Sequence, residues 1–148
     1  MKAKSFILKV TIIHVVTYII CGMLSMTLFD YQSSVEQLGM RDTNSLIVGL
    51  APVFQIFRGL LFGVVLWMIR DVFLSKKNGW LIIWVIILIL GVFNTPATAP
   101  GSIEYFIYCE PAAGTLKIEL GGLLEILMQT CLFSILSFYA IKGGKKGA

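Results

Sequence analysis

The chain has 148 residues, of which 57% are apolar and only 14% are charged. Soluble domains carry about 25% charged residues, so this composition excludes an ordinary soluble domain and indicates an integral membrane protein. The net charge of +4 does not indicate a nucleic-acid partner, because most basic residues lie in short segments beside apolar runs, which is a topology signal. The length suits a single transmembrane domain over residues 1–148.

Four apolar segments predict four membrane-spanning helices, since about 20 helical residues cross the hydrocarbon core of a bilayer. Their approximate ranges are 6–29, 46–69, 79–95 and 118–141. The third segment is the shortest, but its continuous Leu/Ile/Val/Trp run has no amphipathic face and is not suited to lying on a membrane surface. We therefore predict an all-α integral membrane protein, a four-transmembrane-helix bundle.

The first segment carries a polar stripe on an otherwise aliphatic helix. The stripe falls within about 80° of arc and comprises Thr11, His14, Tyr18, Cys21 and Ser25. Lys2 and Lys4 before an apolar stretch also occur in secretory signal peptides. We expect a retained helix instead, because the stretch is too long and no Ala-x-Ala-like cleavage site closes it.

The second segment contains Arg58, near the centre of a 24-residue run with no other ionised residue. A charge at mid-bilayer depth costs about 2.5–3.5 kcal/mol on insertion scales, so it is expected to face the interior and find a partner. The best partner is Glu125 in the fourth segment, at an expected offset of roughly 8 Å along the helices. This ion pair could serve the fold alone or a functional site, and both interpretations stay open.

Other residues complete the predicted polar site. Gln55 and Gln129 lie one turn from Arg58 and Glu125, so both amides are expected between the charges. His14 is the one side chain here whose unperturbed pKa of about 6.5 suits pH gating, although a hydrogen-bonded interior residue is the commoner role. Small residues predict close helix packing at Gly59, Gly63, Gly121 and Gly122.

The connection between the third and fourth segments holds Pro96, Pro100 and Pro111, which break any long helix. Ser102 is a suitable N-cap, and Glu104 in the first turn suits the helix dipole. Tyr105 and Tyr108 are typical of a membrane interface. We expect a short interfacial helix that forms an outer lid over the bundle, with an ordinary ordered loop as the alternative.

Basic residues predict the orientation. Nine of the twelve lie on one side of a four-span topology: Lys2, Lys4, Lys9, Arg70, Lys76, Lys77, Lys142, Lys145 and Lys146. The positive-inside rule then places both termini in the cytoplasm, with the protein in the cell (inner or plasma) membrane. The first outer connection, Asp30 to Ser45, is expected to be a plain loop.

The sequence indicates the membrane architecture more clearly than it indicates the function. No catalytic motif, cofactor motif or metal-ligand spacing is present, so an enzyme is the weakest class. The polar site favours a channel or transporter-like protein for a small ion or solute. The alternative is an accessory subunit of a membrane complex or a lipid-binding protein, with a structural Arg58–Glu125 pair. Four helices enclose little lumen, so we expect a homo-oligomer or a partner membrane subunit.

Overall fold

The computed structural model describes residues 1–28, 44–96, 99, 101–108 and 116–143, without the side chains of 116–119, and these ranges are helical throughout apart from short turns. The predicted loop at Asp30 to Ser45 lies almost wholly outside the described residues. The elements in chain order are α1 (Ala3–Leu28), α2 (Leu46–Gly49), α3 (Ala51–Met68), α4 (Arg70–Leu74), α5 (Gly79–Leu88), a π-helix (Ile89–Phe93), α6 (Ile103–Tyr108) and α7 (Leu116–Gly143).

Three helices are long and apolar enough to cross a membrane. They are α1, α3 and the part of α7 from Leu120 to Gly143, as judged over the described residues. The apolar helix over Gly79–Phe93 is shorter. The prediction of a helical transmembrane protein is therefore supported by three spans.

The second apolar segment is divided at Leu50, where the sequence predicts one continuous helix. Leu50 has φ −85° and ψ −2°, and α3 begins directly after it with Pro52 in its first turn. Proline lacks a backbone N–H and its ring collides with the preceding turn of a helix, but it is well tolerated at a helix start. Pro52 therefore separates α2 from α3.

The third apolar segment changes its hydrogen-bonding pattern before it ends. The α-helix stops at Leu88, and a π-helix follows over Ile89–Phe93. The Asn94 N–H donates to the Ile89 carbonyl, five residues back, at 2.9 Å. Isolated π-turns are frequent at functional sites.

Helix α1 lies between α3 and α7 and packs along both. Its contact with α3 is close, because Gly59 and Gly63 have no side chains. A Cβ atom on Gly59 would lie 3.0 Å from Thr11 Cα, and one on Gly63 would lie 2.9 Å from Ile7 Cγ2. These two approaches fix how far α3 is displaced along α1.

Helix α7 is the second central element, with α1 on one side and α5 on the other. The His14 and Phe133 rings, 5.5 Å apart, mark one level of the α1–α7 contact. Trp84 Nε1 donates to Thr130 Oγ1 at 3.2 Å across the α5–α7 contact. The described parts of α3 and α5 do not pack extensively against each other, so a lateral gap separates them.

Three basic segments meet at one end of the molecule. The start of α1 reaches the end of α3, where the Phe6 and Trp67 ring centroids are 5.3 Å apart. Lys142 Nζ, near the end of α7, donates to the Lys76 carbonyl at 3.2 Å. The apolar core extends through this end and comprises Phe6, Val10, Leu66, Phe73, Ile83, Phe133, Phe138 and Ile141.

Candidate functional site: a cavity beside Arg58

A cavity of about 500 Å³ occupies the gap between α3 and α5, with α7 and one residue of α1 behind it. Small-molecule sites in proteins measure about 300–1,000 Å³, so this cavity is large enough to hold a ligand. Its polar lining comprises His14, Arg58, Thr95, Gln129 and Thr130. Its apolar lining includes Leu61, Val65, Ile69, Ile87 and Leu90.

The cavity is deep on one side and open on the other. His14 and Phe133 line it and are only 3% and 2% exposed. Leu61, Val65 and Leu90 flank the gap and are 53%, 52% and 63% exposed. These exposed side chains are apolar, and Leu61 and Val65 belong to α3, which is long and apolar enough to cross a membrane.

His14 lies at the closed side of the cavity, where one hydrogen bond and two ring contacts position it. Its Nε2 lies 3.0 Å from Gln55 Oε1. An amide oxygen only accepts hydrogen bonds, so the imidazole donates through Nε2. The Phe62 and Phe133 rings meet the imidazole edge-on at centroid distances of 5.1 and 5.5 Å. Gln55 therefore contacts His14. It does not lie between Arg58 and Glu125, where the sequence predicted it.

Arg58 lines the cavity with an exposed side chain. Its guanidinium carbon lies 5.8 Å from the centroid of the Phe62 ring. Among the described residues, the ion pair that forms is Arg70–Asp71 at 3.8 Å, and it does not involve Arg58. Arg58 is therefore a cation beside an apolar cavity with no carboxylate partner in the described part of the chain.

The predicted Arg58–Glu125 ion pair is not formed, and helix register explains why. Next to Arg58, Gly59 faces Thr11 of α1, whereas Glu125 faces Gly22, with its Oε1 4.0 Å from the position of a Gly22 Cβ. Thr11 and Gly22 are eleven residues apart, which is roughly 16 Å at 1.5 Å per residue. An arginine side chain does not cover that separation. Glu125 also lies outside the residues that line the cavity.

Gln129 does line the cavity, together with Thr130 one residue further along α7. The Thr130 hydroxyl accepts from Trp84 Nε1 and donates to the Ile126 carbonyl at 2.8 Å. Three of the five predicted site residues therefore line one cavity: His14, Arg58 and Gln129. Gln55 is hydrogen-bonded to His14. The π-helix residues Leu90, Gly91 and Val92 also line it, and no sequence signal indicated this.

The connection after the π-helix borders the cavity through Thr95 and Ala99, whereas the predicted lid residues Ser102, Glu104, Tyr105 and Tyr108 are not among the residues that line it. Ser102 is 3% exposed, and its Oγ accepts from the backbone N–H of Tyr105 at 3.0 Å, so it caps the start of α6. Gly101 has φ +91°, a conformation that favours glycine, and the position of its missing Cβ lies 2.7 Å from Leu123 Cδ1. Glu104 and Tyr105 are half-buried, and Tyr108 is exposed.

Of the remaining predicted packing glycines, Gly121 is buried, whereas a Cβ on Gly122 would meet nothing within 4 Å. The described residues contain no group of three His, Cys, Asp or Glu side chains able to hold a metal ion. Comparison of this chain with protein-family models, with curated proteins and with solved structures gave no match.

Proposed function

We propose that this chain is a small transporter-like membrane protein whose site, formed by Arg58, His14, Gln55 and Gln129, takes a small anionic solute. The observation that carries the proposal is Arg58. Its guanidinium lines a ligand-sized cavity and makes no ion pair with a described residue. A charged side chain within a membrane segment is costly, so such residues mark substrate or ion pathways unless they are paired for structure.

The geometry weakens the purely structural alternative. A structural role for Arg58 requires a partner that compensates its charge. The expected partner Glu125 lies about eleven residues away along α1. A ligand role requires access, and Arg58 lies beside a lateral opening between α3 and α5. An uncompensated cation attracts an anion most strongly where water is excluded and the effective dielectric constant is low.

The proposal includes the membrane arrangement. We propose that the chain crosses the inner or plasma membrane of the cell four times, with Gly79–Phe93 as the third span. Both termini then lie in the cytoplasm. The observation that supports this arrangement is that the three basic segments meet at one end of the molecule. In membrane proteins the cytoplasmic loops carry the excess of Lys and Arg. Helix α6 then lies at the outer surface as a lid. Since α1 fills the centre, transport is proposed to involve a homo-oligomer or a partner subunit.

Cysteine labelling tests the orientation. Cys109 lies outside the described residues, and the four-span topology places it on the outer side, while Cys21 is buried and Cys131 is half-buried within helices. A membrane-impermeant maleimide applied to intact cells should label the protein, and Cys109→Ser should abolish the labelling. Labelling that survives this substitution contradicts the proposed orientation.

Flux through liposomes tests the function. Purified protein should accelerate the efflux of methanesulfonate, a permanently ionised small anion, above empty liposomes. Arg58→Gln removes the charge and should reduce the flux about tenfold or more, the loss expected for one charge-assisted contact. Lys4→Gln removes an exposed charge at the start of α1 and should leave the flux unchanged.

Two results contradict the proposal. The first is a flux equal to that of empty liposomes from protein whose folding is established by thermal melting. The second is an Arg58→Gln flux equal to that of the unchanged protein. The first result leaves an accessory or lipid-binding role.

A further inference from the structure

The cavity has a polar end and an apolar end. Along α3, Leu61, Val65 and Ile69 follow Arg58 at intervals of about one turn, and all of them line the cavity. On the opposite wall, Ile87 and Leu90 face the same space. A halide or another small hydrated anion gains nothing from such walls, because apolar surface stabilises only apolar groups.

The charges in the cavity select the sign of a ligand. Arg58 is the one permanently ionised side chain in its described lining, and that lining contains no Asp or Glu. Gln129 and Thr130 add hydrogen-bonding groups near this end. A ligand that satisfies both ends of the cavity therefore has an anionic head and an apolar chain.

The gap between α3 and α5 gives such a molecule a route from the bilayer. Leu61, Val65 and Leu90 border the gap and are more than half exposed. The π-helix contributes Gly91, which leaves the wall of the gap without a side chain at that point. A molecule already dissolved in the lipid reaches the cavity sideways without crossing a hydrated entrance.

We propose that the substrate is a single-chain amphiphilic anion that enters sideways between α3 and α5. Its anionic head lies at Arg58 and Gln129, and its chain runs along Leu61, Val65 and Ile69. This inference rests on the proposed function and names the chemical class of its substrate. A two-chain lipid exceeds what a cavity of about 500 Å³ encloses, so the second chain of such a lipid stays in the bilayer.

Photochemical labelling with a defined probe tests the inference. The full-length protein in nanodiscs of neutral lipid is exposed to a long-chain alkyl sulfonate that carries a diazirine on its chain. Labelled peptides should come from α3 after Arg58 and from the α5 and π-helix wall. Excess unlabelled alkyl sulfonate should abolish this labelling, whereas the alcohol of the same chain length should compete about tenfold less well, because it lacks the charge.

Two matched pairs of variants separate charge from shape. Arg58→Gln should weaken sulfonate competition about tenfold, while Lys4→Gln should leave it unchanged. Gly91→Phe places a ring in the gap between α3 and α5. Its Cβ causes no collision, because the one atom within 4 Å is Ile87 Cγ2 at 3.9 Å. Gly122→Phe adds the same bulk at a position with nothing within 4 Å and outside the cavity lining. Only the first of these two should block labelling.

The outcomes distinguish this inference from the function on which it rests. Equal competition by sulfonate and alcohol, or labelling that is insensitive to both Arg58→Gln and Gly91→Phe, overturns the amphiphile inference. If methanesulfonate flux still depends on Arg58 in that case, the proposed transport of a small anion stands. If Gly91→Phe lowers the melting temperature, the Arg58→Gln comparison decides the question without it.

Discussion

Gly79→Ala should lower the melting temperature of the detergent-solubilised protein more than alanine at any other helical glycine in the described residues. A methyl group at this position overlaps the carbonyl oxygen of Phe73 and lies 2.6 Å from Phe138 Cε2. Both neighbours belong to the core, where Phe73 and Phe138 are fully buried. Overpacking of a core costs about 1–3 kcal/mol and occasionally more, and a collision with backbone belongs to the upper end of that range.

The location of Gly79 explains why relaxation is difficult. It begins α5 directly after the turn that follows α4, so the Phe73 carbonyl cannot move without moving that whole turn. Gly122→Ala is the matched control, since a Cβ there meets nothing within 4 Å. It should leave the melting temperature unchanged or raise it, because alanine is favoured over glycine in helices by about 1 kcal/mol. Equal melting temperatures for the two variants would contradict the packing described here.

The helices could be predicted from the sequence because each long apolar run has one dominant requirement. A backbone in lipid must satisfy its own hydrogen bonds, so runs of about 20 apolar residues become helices. The separation of α2 from α3 was visible in principle, since Pro52 has no N–H to donate. The π-helix at Ile89–Phe93 was not, because Ile, Leu, Gly, Val and Phe suit an α-helix in the membrane equally well.

The structure brings part of the predicted polar cluster together, and its role as a functional site stays a prediction. Polar residues in apolar helices turn toward one another, and for this reason the sequence indicates His14, Gln55, Arg58 and Gln129. Three of them line the cavity, and Gln55 is hydrogen-bonded to His14. The sequence predicts Glu125 close to Arg58 only if the ends of the apolar runs lie at the same depth in the membrane. Helix register depends instead on local contacts such as Gly59 with Thr11, and a single sequence does not specify which residues meet across two helices.

Gly63→Val should disrupt that register and, with it, the site. The branched side chain must occupy space where even a Cβ would lie 2.9 Å from Ile7 Cγ2 and 3.0 Å from Ile7 Cα. Because the second neighbour is backbone, α3 has to move away from α1 or slide along it. We expect a loss of about 1–3 kcal/mol in stability, seen as a lower melting temperature. Gly91→Val should change the melting temperature little, because a Cβ on Gly91 would lie at an ordinary contact distance of 3.9 Å from Ile87 Cγ2.

A second measurement distinguishes movement of α3 from a simple loss of packing. Gln55 lies two turns from Gly63 on α3, and its Oε1 accepts from His14 Nε2 at 3.0 Å only while the two helices keep this register. Gln55→Ala should therefore destabilise the unchanged protein by about 1 kcal/mol, the net value of one hydrogen bond, and should cost much less in the Gly63→Val background. If the two effects are additive, the glycine contact does not set the position of the His14–Gln55 pair. If they are not, the close approach of α1 and α3 holds the polar wall of the cavity in place.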